Sequence, residues 1–165
     1  MRLFLLRHAA PKDTFPDEER ELSDFGLTQI STLSKSLSKS VFDNVAQVWH
    51  SPFIRARQTA ELFAKEMEIN APLLSSATLT PMSNPNDVAN QISSLCCFCA
   101  DLLIVAHNPL LESVAQIILG KNSASYIHFK TCTLASFNLE QLPTPDNKMG
   151  VWELEFLLSP AVLAK

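Results

Sequence analysis

Short apolar runs alternate with segments of helical periodicity along most of this chain, and that alternation limits the fold more than any other feature. Arg2–Arg7 contains four consecutive apolar residues, Leu102–Ala106 is apolar throughout, and Val45–His50 is predicted to be a further strand. Strands that are apolar on both faces are typical of parallel sheets covered by helices. Two later strands are predicted at Leu134–Leu139 and Val151–Leu158. The pattern predicts an α/β fold, a three-layer sandwich with a mostly parallel central sheet, helices on both faces and an antiparallel contribution late in the chain.

Helix starts are predicted where capping residues or prolines precede apolar residues at helical spacing. Ser23 is a predicted N-cap, and prolines are expected to open helices at Pro52, Asn84-Pro85 and Asn108-Pro109. The apolar residues that define the first three helices are Leu27, Ile30, Leu33 and Leu37, then Ile54, Ala56, Phe63 and Met67, then Val88, Ile92, Leu95 and Cys99. The fourth helix is expected to end near Gly120.

Two other segments are short or polar. Pro11–Glu21 is rich in charged residues and is predicted to be a loop, and Leu73-Leu74 is predicted to be a short strand. The chain has 165 residues, which fits a single compact domain over residues 1–165.

Charge and hydropathy exclude some partners. The net charge is −4, which disfavours nonspecific nucleic-acid binding. No segment approaches the roughly 18 apolar residues of a membrane span, and the apolar run at the N-terminus is too short for a signal peptide. We therefore expect a cytoplasmic protein that binds neither nucleic acid nor a membrane.

The cysteines form no metal or disulfide pattern. Cys96, Cys97 and Cys99 are too close together for a disulfide framework, and no second pair of metal ligands follows them. We expect them to be buried thiols on a helix, in preference to a metal or redox site.

Basic and imidazole side chains follow three of the predicted strands. Arg7 and His8 end the first, His50-Ser51-Pro52 follows the second and leads to Arg55, and His107 follows the third. In an open parallel sheet, ligands bind at the carboxyl ends of the strands, and helix starts at that edge favour anions. The sequence therefore predicts that the two arginines and the two strand-end histidines, His8 and His107, come together.

This combination of residues suits phosphoryl chemistry. Two histidines and two arginines without acidic partners would repel one another, and a bound phosphoryl group would supply the missing negative charge. Neutral imidazole is a competent nucleophile, since its free pKa is about 6.5. Arg7, Arg55 and a protonated His107 are predicted to stabilise the charge on the phosphoryl oxygens. Such a site needs no metal ion and no cofactor.

Four segments resemble the sequence blocks of the histidine phosphatase (phosphoglycerate mutase-like) superfamily, and more closely those of its small SixA-type phosphohistidine phosphatases. Leu6-Arg7-His8-Ala9 is similar to their Arg-His-Gly signature, and Arg20-Glu21-Leu22-Ser23 with Gly26 resembles their Arg-x-Leu-Thr…Gly segment. Ser51–Thr59 is similar to their Ser-Pro-x-x-Arg-Ala-x-Gln-Thr block, and Val105–Glu112 to their Val-Gly-His-Asn-Pro-x-Leu-Glu block. Lys130–Ser136 bears a weaker resemblance to a late strand of these proteins, so the matches occur in order over nearly the whole chain.

The resemblance implies roles for particular residues. It implies that His8 is the phosphorylated nucleophile and that Arg7, Arg55 and His107 form the phosphate pocket. Three further residues are predicted to bind the substrate, namely Arg20, Ser51 and Asn108. The resemblance also implies a single domain without the large cap of acid phosphatases.

The chain departs from the family pattern at several positions. Ala9 and Ala106 replace common glycines, and both changes are small enough for the pocket to tolerate. Similar proteins often have a glutamate where Thr78 stands. The general acid is therefore unassigned, and Glu112 and Asp13 are the candidates.

Four other residues are expected to lie outside the site or at its margin. Strand alternation should turn His50 to the face opposite its successor, and His128 is expected at the surface. Lys12 is expected to be a solvated loop charge. Arg57 should point about 200° away from Arg55 on its helix, so only Arg55 is expected to face the phosphate.

These predictions favour an enzyme that hydrolyses protein phosphohistidine through a phospho-His8 intermediate, with a phosphorelay or phosphotransfer protein as its partner. The absence of a carboxylate at Thr78 supports a phosphoramidate substrate, because an alkoxide leaving group needs a proton donor and a protonated phosphohistidine leaves as neutral imidazole. Two alternatives remain: a phosphatase that acts on a small phosphate ester, and a phosphate-binding module without turnover.

Overall fold

A computed structural model describes residues 1–98, 100–120 and 127–163 of the chain. The strands are β1 (Arg2–Arg7), β2 (Val45–His50), β3 (Leu73–Ser75), β4 (Asp101–Ala106), β5 (Leu134–Gln141) and β6 (Val151–Leu158). The helices are α1 (Asp24–Lys35), α2 (Ile54–Glu66), α3 (Pro85–Leu95), α4 (Leu110–Ile118) and α5 (Pro160–Leu163).

The six strands form one sheet in the order β3-β2-β4-β1-β5-β6. β1 pairs with β4, and β2 pairs with β4 and β3, all in parallel. β5 runs antiparallel to both β1 and β6. The predicted mostly parallel sheet with a late antiparallel contribution is confirmed.

Helices cover both faces of the sheet because its central strands are apolar on both sides. In β1, Leu3 and Leu5 pack into a core with α3 and α4, whereas Phe4 and Leu6 pack into a second core with α1 and α2. All four side chains are fully buried. Burial of such a side chain contributes about 1.5–3 kcal/mol relative to exposure, so this strand ties both layers together.

Most predicted strand bounds agree with the structure. β1, β2 and β6 have the predicted ends, while β4 begins one residue earlier, at Asp101, whose Oδ1 accepts a hydrogen bond from the Arg2 backbone N–H at 2.6 Å. β3 extends to Ser75 and β5 to Gln141.

Two predicted helix starts are confirmed and two are shifted. Ser23 and Asn84 are the N-caps of α1 and α3, and each side-chain oxygen accepts a backbone N–H. Pro52 does not lie in the first turn of α2, because Phe53 is extended and acts as the N-cap. Pro109 is the N-cap of α4 and lies outside its first turn.

Two of the apolar positions predicted for α1 lie outside the buried face of that helix. Leu27 is 45% exposed, and Leu37 lies beyond the end of α1 at Lys35. Gly120 follows α4 with φ of +85°, in agreement with the predicted helix end.

The structure separates the clustered cysteines. Cys96 is buried in the core as predicted, but Cys97, the next residue on the short 3₁₀ turn that follows α3, is exposed. Cys99 lies outside the described residues. Among the helices that the structure describes, none is long and apolar enough to cross a membrane.

The start of α1 is packed against the chain that leaves β1. The carbonyl oxygen of Ala10 accepts hydrogen bonds from the backbone N–H of Ser23 at 3.0 Å and from its hydroxyl at 2.9 Å. A Cβ on Gly26 would lie 2.2 Å from the same oxygen. Only glycine allows the first turn of α1 to approach this carbonyl so closely.

We expect Gly26→Ala to lower the free energy of unfolding by about 1–3 kcal/mol, because the added methyl group must displace the Ala10 backbone. Thr28→Ala is the matched control: Thr28 is exposed on the same helix, and alanine favours helices there. Urea unfolding measures both. Equal stability of the Gly26 variant and the wild type would contradict this packing.

Candidate active site

Adjacent strands bring the predicted residues to one edge of the sheet. β4 lies between β1 and β2, and the three strands run in the same direction. Arg7 at the end of β1 is opposite Ala106 at the end of β4, so His8 and His107 follow as neighbours. Their ring centroids lie 4.8 Å apart. The structure thus brings these residues together as the sequence predicts.

Hydrogen bonds at both ring nitrogens of His8 determine where its proton lies. Nδ1 is 2.8 Å from the carbonyl oxygen of Ala9, which can only accept, so Nδ1 carries the proton. The Nε–H of Arg55 donates to Nε2 at 3.3 Å, so Nε2 keeps its lone pair. This tautomer presents a nucleophilic nitrogen beside an arginine.

Burial keeps His8 neutral. The residue is 6% exposed, and desolvation lowers the pKa of His8 to about 3. The hydrogen bond to Ala9 opposes this shift, and the charges of Arg55 and Arg7 add to it. At neutral pH the lone pair on Nε2 is therefore available without removal of a proton.

His107 is oriented by Ser51. Its Nε2 lies 2.8 Å from the Ser51 hydroxyl oxygen, which also accepts the backbone N–H of Phe53 at 3.4 Å. The Ser51 proton can then be donated to Nε2, which places the His107 proton on Nδ1. Nδ1 is buried and has no hydrogen-bond partner among the described residues. Ser51, predicted to bind the substrate, is fully buried and contacts His107.

The prediction of a protonated His107 does not hold for the free protein. Desolvation is the largest cause, followed by His8 and the charges of Arg55 and Arg7, and together they lower the pKa of His107 to about 2. In the tautomer that accepts the Ser51 proton on Nε2, neutral His107 still provides a donor through Nδ1–H.

The guanidinium of Arg7 is held by a backbone carbonyl. Its Nη1 donates to the oxygen of Phe129 at 2.7 Å, while its Nε is buried and lacks a partner among the described residues. Burial lowers the pKa of Arg7, the charge of Glu112 raises it and that of Arg55 lowers it. An arginine remains charged at any pH of interest, so Arg7 contributes a positive charge and a free donor.

Glu112 organises the segment that holds Arg7. Its Oε1 accepts from Asn108 Nδ2 at 2.7 Å and from the Phe129 backbone N–H at 3.2 Å, and lies 2.8 Å from Nδ1 of the exposed His128. Asn108 Nδ2 also donates to the Phe129 oxygen at 2.8 Å, so both of its protons are used. Glu112, a candidate acid, and Asn108, a candidate substrate ligand, both hold the backbone of Phe129.

Arg55 has an acidic partner that the sequence analysis did not identify. Arg55 is 5% exposed, and its Nη2 lies 3.0 Å from Oδ2 of Asp17, while its Nη1 donates to the Asp17 carbonyl oxygen. Its guanidinium carbon lies 4.9 Å from the centroid of the Phe53 ring. The expectation that the arginines lack acidic partners is therefore wrong for Arg55, because the first loop folds back over α2.

Asp17 is shared between two arginines. Its Oδ1 lies 3.3 Å from Nη1 of Arg20. Burial raises the pKa of Asp17, but hydrogen bonds and charge from Arg55 and Arg20 outweigh burial and hold that pKa below its ordinary value. Asp17 is therefore an ionised carboxylate and a poor proton donor at neutral pH.

The predicted first loop contains a short 3₁₀ turn, Asp17–Glu19, and the side chain of Arg20 makes its hydrogen bonds within this loop. Arg20 Nε donates to the Lys12 carbonyl at 2.7 Å, and its Nη2 lies 3.5 Å from the fully exposed carboxylate of Asp13. Lys12 pairs with Glu21 at 2.7 Å. Arg20 is thus connected to Arg55 of the pocket through Asp17. Asp13 pairs with Arg20 at a fully exposed position.

Thr59 is a second residue that the sequence analysis missed. Its hydroxyl accepts the Ala9 backbone N–H at 3.1 Å and donates to the Arg55 carbonyl at 2.6 Å. Thr59 therefore ties Ala9 to the helix that carries Arg55, and the carbonyl of Ala9 in turn accepts from His8. The signal was its place at the end of the Ser51–Thr59 block, whereas no pattern singled out Asp17.

The remaining candidates lie elsewhere. Arg57 faces Glu61 at 3.8 Å, in agreement with its expected direction away from Arg55. His50 is buried with Nδ1 on the carbonyl of the next residue at 2.9 Å. The hydroxyl of Thr78 lies 2.8 Å from that of Ser76.

The pocket has donors without acceptors. Arg7 Nε and His107 Nδ1 are both buried and unpaired, and the charges of both arginines act on both histidines. A buried donor without a partner costs about 1–3 kcal/mol. A tetrahedral oxyanion could accept from these donors next to the lone pair of His8. The part of the chain that the structure describes contains no group of three or more His, Cys, Asp or Glu side chains that could hold a metal ion.

Part of the chain matches a known family model, and solved structures share its fold. The family model of the histidine phosphatase superfamily (branch 1) matches residues 3–81. The chain is similar to a structure of the protein histidine phosphatase SixA complexed with tungstate, with a TM-score of 0.85 and 23% identity over 99% of both chains. A proposed phosphohistidine phosphatase SixA from Nakamurella multipartitia has a TM-score of 0.77 and 20% identity over 96% of this chain and 95% of its own.

A mycobacterial glucosyl-3-phosphoglycerate phosphatase has a TM-score of 0.67 and 15% identity over 93% of this chain and 96% of its own. At these identities the structures show a shared fold. No curated protein matches the sequence.

The lowered pKa values of His8 and His107 predict a loss of stability in mild acid. Below pH 6.5 the unfolded chain binds protons at both histidines, whereas the folded protein binds them only near pH 3 and pH 2. The unfolded state thus binds more protons as the pH falls. We expect the free energy of unfolding to fall by up to about 1.4 kcal/mol per pH unit for each histidine between pH 6.5 and 5.

Urea unfolding across this range measures the slope. The double variant His8→Asn, His107→Gln should lose most of it. A double variant with the wild-type slope would show that the two histidines are not held neutral.

Proposed function

We propose that this chain belongs to the histidine phosphatase superfamily, whose family model matches residues 3–81, and that it hydrolyses protein phosphohistidine through a phosphoryl group carried on His8. The observation that carries the proposal is the state of His8: neutral, protonated on Nδ1, with the Nε2 lone pair beside Arg55 Nε. The unpaired donors on Arg7 and His107 support a phosphoryl group at this position.

The first step transfers the phosphoryl group between two imidazoles. The lone pair of His8 Nε2 attacks phosphorus, the bond from phosphorus to the substrate nitrogen breaks, and the substrate histidine leaves. If the substrate is protonated on its other ring nitrogen, it leaves as neutral imidazole. The His8 proton stays on Nδ1, where the Ala9 carbonyl stabilises the positive charge of the phosphorylated ring.

The second step is hydrolysis of phospho-His8. Water attacks phosphorus, the bond to Nε2 breaks, and the products are neutral His8 and dihydrogen phosphate. Arg7, Arg55 and the Nδ1–H of His107 stabilise the phosphoryl oxygens in both steps. No step requires a metal ion or a cofactor, so we expect chelators to leave turnover unchanged.

The proton donors available to the leaving group favour a phosphoramidate substrate over an alkyl ester. An alkoxide needs a proton as it leaves. Among the described residues, neither Glu112 nor Asp13 contacts His8 or His107, and Glu112 accepts hydrogen bonds from groups that can only donate. A leaving imidazole has a conjugate acid of pKa about 6.5 and needs no strong acid.

The partner follows from the substrate. A phosphohistidine on a protein surface requires an accessible pocket, and we propose that residues 1–165 form a single domain without a large cap. The partner is then a phosphorelay or phosphotransfer protein that carries its phosphoryl group on histidine. A small phosphate ester is the second candidate, because the mycobacterial glucosyl-3-phosphoglycerate phosphatase shares the fold.

Hydrolysis assays test the proposal. We expect kcat/KM for a phosphocarrier protein phosphorylated on histidine to exceed that for an unactivated alkyl phosphate by at least about 10²-fold, since a missing proton donor typically costs that much. Rapid quench should trap an acid-labile phosphoryl group on His8 in the wild type. His8→Asn should remain folded, form no phosphoenzyme and show no turnover.

Equal or better hydrolysis of the alkyl phosphate would establish the small-ester alternative. Binding of the phosphoprotein without release of phosphate would establish a binding module. A trapped phosphoryl group on His107 would overturn the assignment of the nucleophile.

A further inference from the structure

One residue of the first loop, Asp17, contacts Arg55 in the pocket. Backbone hydrogen bonds close the base of this loop, where Lys12 N–H donates to Glu21 at 2.8 Å and Ser23 N–H donates to Ala10 at 3.0 Å. Asp17 lies at the start of the 3₁₀ turn near the loop's far end. It contacts the buried Arg55 through both its backbone carbonyl and its carboxylate.

The donors of Arg55 are divided between two partners. Both terminal nitrogens, Nη1 and Nη2, donate to Asp17, and only Nε donates to His8. A guanidinium is planar, and its N–H groups have a fixed geometry. Two bonds to Asp17 therefore fix the direction in which Nε–H points.

We propose that Asp17 is a positioning residue for the phosphoryl-transfer reaction, holding the outer edge of the Arg55 guanidinium so that its Nε edge faces Nε2 of His8. This inference rests on the proposed function, because the phosphoryl group is taken to form on Nε2. Arg20 supports the arrangement, since it binds the other carboxylate oxygen of Asp17 and the Lys12 backbone.

Removal of the Asp17 side chain distinguishes a role in positioning Arg55 from a role in blocking it. If Asp17 merely occupies Arg55 until a phosphoryl group displaces it, Asp17→Ala should speed turnover. If Asp17 positions Arg55, the same variant should slow it, because a misplaced charge stabilises the transition state less well. The Asp17 carbonyl still holds Nη1 in this variant, so we expect a loss in kcat of roughly tenfold, below the 10² typical of a 1 Å misplacement.

A double-mutant cycle with Arg55→Ala provides the decisive readout. In the Arg55→Ala background, Asp17→Ala should change kcat by less than about twofold, since Asp17 acts through Arg55. Asp17→Asn should recover most of the rate, because the amide oxygen can accept from Nη2. Glu18→Ala is the matched control: it removes an exposed carboxylate from the same turn and should leave kcat unchanged.

The inference is overturned if Asp17→Ala leaves kcat unchanged or raises it, or if its effect is the same with and without Arg55. Asp17 is half exposed, so the variants should fold, and thermal unfolding checks that they do.

Orthovanadate binding separates this inference from the proposed function. If the wild type hydrolyses no phosphohistidine protein, the proposed function fails, but the same cycle can be measured as the Kd of vanadate. Removal of the negative charge of Asp17 changes the Kd of vanadate both with and without Arg55. This part of the effect therefore cancels when the two changes in Kd are compared. Asp17→Ala should weaken vanadate binding severalfold more when Arg55 is present than when it is absent. Equal effects, or no vanadate binding by the wild type, would overturn the assignment of Asp17.

Discussion

The hydrogen bond from Arg55 Nε–H to His8 Nε2 is the interaction on which the rest of the site depends. An arginine can only donate, so this contact requires an unprotonated Nε2. The Ala9 carbonyl imposes the complementary condition at Nδ1. Together they make His8 a neutral nucleophile, and burial maintains that state over the physiological pH range. Thr59 joins Ala9 to the helix that carries Arg55, so the groups that bind the two ring nitrogens of His8 are held to each other.

The carboxylates near the site hold its arginines, either directly or through the backbone, on the side away from the oxyanion position. Asp17 holds the terminal nitrogens of Arg55, and Glu112 holds the backbone of Phe129, whose carbonyl holds Arg7. Neither carboxylate contacts a strand-end histidine among the described residues. This arrangement places negative charge behind the guanidinium groups and leaves donors facing the position of an oxyanion. Electrostatic stabilisation of this kind is often the largest single contribution to catalysis.

The sequence predicted the parts of this site that depend on the sheet. Strands that are apolar on both faces must be parallel and covered, and their carboxyl ends must meet, so the positions of His8 and His107 followed from pattern alone. The roles of Ser51, Asn108 and Glu112 did not follow, because they depend on which atoms are donors and acceptors in three dimensions.

Asp17 was missed for a related reason: it lies in a charged loop, and its importance comes from the path by which that loop returns over α2. Helix starts at Pro52 and Pro109 were misplaced because a proline in the first turn, a proline at the cap and a proline just before the cap look alike in sequence.

The central claim is that His8 is neutral, with its proton on Nδ1 and its lone pair on Nε2. Nitrogen-15 NMR of histidine-labelled protein tests it directly, with the His8 signals assigned by their loss in His8→Asn. We expect the Nδ1–H tautomer, with no protonation of Nε2 between pH 7 and pH 5. A proton on Nε2, or titration of His8 near pH 6.5, would contradict the account.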